Sequence, residues 1–169
     1  MITYHHGYLL EESNATTLVN SVNTVGVMGK GIALAFKKKY PWHFEPYKRM
    51  CSSGELVVGK PIILKLVDVL KINKIGSPEP MLIEQPASPD IICFPAKKHW
   101  RNPSELNWIE DGLQHIVDMR DVWYSNQYIH MAVPLFGTDN GGLDINIVLP
   151  MIKHILGDIP NMDLEIWKL

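Results

Sequence analysis

The stretch LVNSVNTVGVMGKGIALAFKKKYP, residues 18–41, decides how the fold is read. Its first part is apolar and β-branched, the composition of a buried strand. Gly26, Gly29 and Gly31 then surround Lys30. Beyond them Ile32, Phe36 and Tyr40 recur at i, i+4 and i+8, which gives a helix one buried stripe. Pro41 ends that helix. A strand, a glycine-rich loop and a helix in this order offer an anion free backbone N–H groups and the positive end of a helix dipole. The loop is not a Walker A loop, because Gly31 stands where a Ser or Thr must follow the lysine. Nor is it a dinucleotide fingerprint, because Leu34 takes the third glycine's place. The competing reading is a tight turn whose glycines serve only positive φ angles.

Working outward, residues 15–23 read as a buried strand ending in two asparagines, and Ile2–Tyr4 as an edge strand. Residues 42–52 read as a second helix ending near Gly54. VVGKPIILKLVDVLKI, residues 57–72, reads as strands. The four prolines within 76–90 mark a surface excursion. DIICFPAKKHW, residues 90–100, is a strand running into a polar loop. Ser104 reads as the N-cap of a helix whose stripe is Leu106, Ile109, Leu113, Ile116 and Val117. YIHMAVPLF, residues 128–136, is a strand opening into a second glycine-rich loop, GTDNGGLD, residues 137–144. Residues 145–157 read as a helix with Pro150 near its first turn, and MDLEIWKL closes the chain as a strand. Alternating strands and helices give an α/β class with a mostly parallel or mixed sheet. Ligands of such sheets sit beyond the carboxyl ends of the strands, so both glycine loops should face one crevice. Two loops suit a diphosphate better than one.

The 169 residues, 46% of them hydrophobic, fit one domain with its own core. The formal net charge of −2 gives no global sign of a nucleic-acid binder. Cys51 and Cys93 lack CxxC spacing and read as free thiols in a reducing compartment. With no signal peptide and no apolar run of membrane length, the expected location is the cytoplasm. The seven histidines show no metal-ligand spacing, so neither a metal nor another cofactor is expected. The five tryptophans are too dispersed to suggest a base-stacking platform.

Asn20 and Asn23 lie at the end of a buried strand, where an amide serves either a sugar hydroxyl or the backbone. The second use suits Asn20 and the first suits Asn23, which is nearer the glycine loop. Lys97 and Lys98 follow a strand directly and, if it stays extended, point to opposite sides. Only one of them then faces the crevice. A partly desolvated lysine there can lose its proton and act as a nucleophile; a solvated loop tip is the plain alternative.

VNSVNTVGVMGKGIALAFKKKYP, FPAKKHWRNPSELNWIEDGL and VPLFGTDNGGLD together resemble the macro domain family, in the branch that holds the DarG antitoxin macro domains and terminal ADP-ribose protein glycohydrolase. The resemblance runs over essentially the whole chain, residues 1–169 as one macro domain. It implies a three-layer α/β/α sandwich with a mixed central sheet and an ADP-ribose crevice. It also implies an ADP-ribosyl glycohydrolase that removes ADP-ribose from DNA bases and so reverses a DarT-type toxin. A non-catalytic reader, or a module that sequesters ADP-ribose or a related nucleotide, is the alternative. Carried over, Lys97 is the catalytic lysine and Asn23 meets the distal ribose. Gly26, Val27, Met28, Gly29, Lys30, Gly31, Ile32 and Ala33 line the diphosphate and that ribose, beside Asn20 and Thr24. Gly137, Thr138, Asp139, Asn140, Gly141, Gly142 and Leu143 close over the phosphates, and Tyr8 and Leu9 stand by the adenine.

Three positions depart from the pattern. Tyr8 replaces an aspartate that reads adenine, Gly141 replaces a second catalytic aspartate, and Asp139 falls in a loop that usually reads GCG. An acid beside a diphosphate repels it unless the side chain turns outward. Lys37, Lys38, Lys39, Lys97, Lys98 and Arg101 form a candidate basic rim for a DNA strand.

Overall fold

The computed structural model describes residues 1–73 and 88–168. Nearly all of the expected proline-rich excursion falls on 74–87 and lies outside the described residues. The elements run β1 (Ile2–His6), α1 (Leu9–Glu12), β2 (Thr17–Asn23), α2 (Gly31–Lys39), a 3₁₀ turn (Pro41–His43) and α3 (Phe44–Ser53). Then come β3 (Ile62–Leu64), α4 (Leu66–Asn73), β4 (Asp90–Lys97), α5 (Leu106–Tyr124), β5 (Ile129–Pro134), α6 (Ile145–Leu156) and β6 (Met162–Lys168). No helix among the described residues is long and apolar enough to cross a membrane.

The strands form one sheet in the order β1-β6-β5-β2-β4-β3. Every neighbouring pair is parallel except β3 with β4. The period-2 alternation of the strands sorts the core onto two faces. Val19, Ile92, Phe94, Met131, Val133, Leu164 and Ile166 pack under α5 and α6 through Ile109, Leu113, Ile116, Val148, Ile152 and Leu156. On the other face Leu18, Ile91, Ala132 and Trp167 meet Leu9, Leu10 and Phe36 of α1 and α2. Val22, Cys93 and Leu64 meet Tyr47 and Met50 of α3. These are the three α/β/α layers.

Three local expectations are corrected. Residues 57–72 yield one three-residue strand, β3, and then the helix α4. Its LVDVL run buries Val69 while Val67 stays exposed, a pattern a short apolar run also shows as a strand. Ser104 does not cap α5. Glu105 holds the N-cap position without a side-chain bond, and Ser104 is drawn away because its N–H donates to the Gly141 carbonyl at 3.0 Å. Pro150 sits inside α6 rather than in its first turn, which Asp144 caps by accepting from the Asn146 N–H at 2.8 Å. Gly54, with φ +76°, ends α3 where expected. Cys51 and Cys93 are both free.

Candidate functional site

The carboxyl ends of β2, β4 and β5 open beside the N-terminus of α2, and between them lies a crevice of about 720 Å³. That volume is in the range of small-molecule sites. Both glycine loops face it: Val27 and Gly29 to Ala33 on one side, Gly137, Asp139, Asn140 and Gly141 on the other. The loops meet where a Cβ on Gly31 would sit 3.3 Å from Asn140 Nδ2, and Gly31 has φ +58°. A side chain there is strained as well as crowded.

The first loop is held by Asn23 at the end of β2. Its Nδ2 donates to the Val27 carbonyl at 2.7 Å, and its Oδ1 accepts from the Val25 N–H at 3.1 Å and the Val27 N–H at 3.3 Å. The buried Tyr47 hydroxyl donates to the Asn23 carbonyl at 2.8 Å, with Asn23 Oδ1 at 3.0 Å. Burial pushes the Tyr47 hydroxyl far above its ordinary range, which keeps it a donor. The carboxamide therefore shapes the loop first, and one N–H of its Nδ2 is left for a ligand.

Lys97 ends β4 and lines the crevice. Its Nζ donates to the Asn140 carbonyl at 2.5 Å and to the Trp100 carbonyl at 3.2 Å, joining the loop after β4 to the second glycine loop. Partial burial lowers its pKa. No carboxylate pairs with it among the described residues. Lys98 lies in the bend after β4, its Nζ 5.3 Å from the centroid of the Trp108 ring, and of the two lysines only Lys97 lines the crevice.

The second loop is tightly wound. The Leu143 N–H donates to the Gly137 carbonyl at 2.8 Å and the Gly142 N–H to the Asp139 carbonyl at 3.2 Å. Gly141 packs so closely on Gly137 and Ser104 that a Cβ would overlap the Gly137 carbonyl oxygen and Ser104 Oγ. A carboxylate cannot stand at 141 without moving backbone.

Several candidate residues lie elsewhere. Asn20 is fully buried on the α2–α3 face, farther back along β2 than Val22 and Asn23, where its Nδ2 meets His43 Nε2 at 3.2 Å, and it does not line the crevice. Tyr8 is 77% exposed ahead of α1, and Leu9 is buried in the core beneath it. Thr24 donates to the Lys98 carbonyl at 2.9 Å. Gly26 packs against Lys48, and Met28 is buried beneath the first loop. Gly142 occupies a positive-φ turn outside the lining. Thr138 and Leu143, with Asp139, line an adjoining hollow of about 340 Å³ that reaches Lys168. Asp139 is exposed at the border of both spaces.

The crevice adds residues the sequence did not single out: Ser21, Val22, Trp100, Ser104, Pro134 and Leu135. Ser21 and Pro134 were legible as residues near strand ends; Ser104 was not, since only the folded loop brings it to Gly137. Of the expected basic rim, only Lys97 and Arg101 line the crevice. Lys37 lies over the Phe44 ring, and Lys39 binds the Leu10 carbonyl and Glu11. With Lys30 the crevice has three cationic side chains against the single acid Asp139.

A sequence model of the family described as Macro domain matches residues 19–75. A DNA ADP-ribosyl glycohydrolase of Mycobacterium tuberculosis (strain ATCC 25618 / H37Rv) is 39% identical over 167 residues. The match covers 99% of this chain and 42% of that relative, so the chain spans less than half its length. The solved macrodomain of Mycobacterium tuberculosis DarG superimposes with a TM-score of 0.81 at 38% identity, covering 100% of this chain and 98% of that one. Thermosipho africanus DarTG in complex with ADP-ribose superimposes with a TM-score of 0.72 at 32% identity, over 93% of this chain and 39% of that one.

Proposed function

The chain belongs to the macro domain family, and from that premise we propose that residues 1–169 form one macro domain that binds ADP-ribose and hydrolyses its bond to a DNA base. The observation that carries the reading is Lys97, held at the crevice by two carbonyls between the two glycine loops. In this reading the diphosphate lies against the N-terminus of α2 and the amides of Gly29 to Gly31. The spare N–H of Asn23 meets the distal ribose. The adenosine end extends into the adjoining hollow beside Thr138 and Lys168. The relatives named as DNA ADP-ribosyl glycohydrolases support the choice of reaction. The ADP-ribose complex of the Thermosipho africanus protein supports the choice of ligand. The protein's place is then the reversal of a DarT-type toxin's modification.

Lys97 has the valences for the chemistry. A neutral amine carries two N–H donors and one lone pair, and the two carbonyls take both donors. The lone pair attacks the anomeric carbon as the bond to the base breaks. The base leaves with the bonding pair and takes the proton released from Nζ. Water then cleaves the Nζ–carbon bond, giving free ADP-ribose and the amine.

The test is Lys97→Ala assayed on ADP-ribosylated single-stranded DNA, with calorimetry on ADP-ribose alongside. The expected outcome is loss of release by at least about 100-fold with ADP-ribose still bound. Undiminished release overturns the lysine mechanism. Binding by the unaltered protein with no release from any substrate makes it a reader.

A further inference from the structure

The side chains of the tripeptide after Lys98 have no role in the reading above, yet the tripeptide borders the reacting end of the crevice. Trp100 lines the crevice, and its carbonyl accepts from Lys97 Nζ at 3.2 Å. Whatever leaves the anomeric carbon at Lys97 therefore emerges beside this tryptophan. Trp100 is 46% exposed, whereas Trp108 and Trp167 are buried in the core. It stacks with two flat neighbours. The His99 ring lies at 5.3 Å between centroids with 26° between planes, and the Arg101 guanidinium carbon is 4.5 Å from the Trp100 centroid. The loop that presents them is pinned. The Arg101 N–H donates to His99 Nδ1 at 3.2 Å, and the Asn102 N–H to the His99 carbonyl at 3.1 Å. Thr24 ties the Lys98 carbonyl to the first glycine loop, on which Val27 is 40% exposed.

The half-exposed indole and the exposed valine both line the crevice, where the apolar surface of a pocket meets a ligand's own apolar face. A flat, π-faced partner next to a phosphate suits this set: base stacking on an aromatic, with Arg101 and Lys30 for the backbone. We propose that His99, Trp100 and Arg101 form a stacking platform for the unmodified bases that flank the modified one in a single strand. Trp100 is then a specificity-determining residue that favours a strand over a lone nucleotide. The proposal rests on the ADP-ribose reading of the crevice.

The experiment compares a single-stranded oligonucleotide carrying one ADP-ribosylated base with the same modified nucleotide alone, and with an ADP-ribosylated peptide. The quantity read is the oligonucleotide-to-nucleotide ratio of KM, or of Kd if there is no turnover. Trp100→Ala should raise that ratio about 10-fold, the scale of one lost base–aromatic stack. Trp100→Phe should recover most of the loss. A ratio within about 3-fold of the unaltered protein's, or a phenylalanine no better than alanine, overturns the platform. An equal loss on the modified peptide overturns nucleic acid as its occupant. Calorimetry of the unaltered protein with ADP-ribose separates the two layers. No binding there removes the crevice reading and the platform together. Binding with an unchanged ratio in Trp100→Ala removes the platform alone.

Discussion

Gly141→Ala is the sharpest probe of the second glycine loop. An added Cβ would overlap the Gly137 carbonyl oxygen and Ser104 Oγ, and would sit 2.7 Å from Gly137 Cα. The serine hydroxyl can rotate away. The carbonyl cannot move freely, because it accepts the Leu143 N–H at 2.8 Å. Overpacking of this kind costs about 1–3 kcal/mol, and a weakened buried backbone bond adds about 1 kcal/mol. The expected destabilisation is about 2–4 kcal/mol, a fall in Tm of about 10 °C for a chain of this size. The Asn140 carbonyl, next in sequence, holds Lys97, so affinity for ADP-ribose should fall as well. Thermal and urea unfolding read the first effect, and calorimetry the second.

Ser104→Ala supplies the control. Its hydroxyl is buried without a partner among the described residues, so removing it alone should be close to neutral. Combined with Gly141→Ala it should recover less than half the loss, since the carbonyl overlap stays. A Gly141→Ala protein within about 0.5 kcal/mol of the unaltered one refutes the steric argument. Full recovery by Ser104→Ala moves the strain from the backbone to the hydroxyl and refutes it too.

Two further outcomes follow from buried polar groups. Tyr47→Phe removes the donor to the Asn23 carbonyl, and should cost about 1–2 kcal/mol and weaken ADP-ribose binding through the loosened first loop; calorimetry showing full affinity counts against Asn23 as its brace. Burial holds the fully buried His43 imidazole below its ordinary 6.5, despite the raising effect of its bond to the Tyr40 carbonyl. It stays neutral, with Nδ1–H donating to that carbonyl and Nε2 accepting from Asn20. The unfolded chain takes up this proton as pH falls past about 6.5 and the folded chain does not. Stability should therefore decline below that pH and level off beneath the folded-state pKa. His115 is shifted the same way by burial, so His43→Gln should flatten the urea-midpoint slope between about pH 7 and 5 without abolishing it. An unchanged slope contradicts the assignment.

What was legible in the sequence was local. The strand, glycine loop and helix of residues 18–41 announce themselves by a change of period at Gly26 to Gly31. Only one of Lys97 and Lys98 lines the crevice, as expected, although β4 ends at Lys97 and a bend carries Lys98. The misreadings came where a local signal serves two structures. LVDVLKI satisfies a strand or a helix, and only its packing decides. Ser104 has the residue type and position of an N-cap, but a contact 37 residues away, at Gly141, pulls it into the crevice wall. Asn20 and Asn23 are told apart in the sequence by distance from the glycine loop, and the structure buries Asn20 against His43 while Asn23 lines the crevice. The exposure of Trp100, one ring among five, is not written in the spacing of the tryptophans.

The glycine at 141 also bears on the chemistry of Lys97. A carboxylate in that loop would stand near Nζ and hold the proton on it. Neutral carbonyls do so less strongly, and burial works in the opposite direction. Asp139 borders the crevice but makes no ion pair with Lys97. The two bonds to Trp100 and Asn140 fit either protonation state of the amine. Neutral, it keeps a lone pair; charged, it keeps one N–H. The first suits attack on an anomeric carbon and the second suits donation to a departing base. A close-packed glycine at 141 thus does two things at once. It lets the second loop fold against Ser104, and it leaves the proton of Lys97 governed by burial rather than by a fixed carboxylate partner.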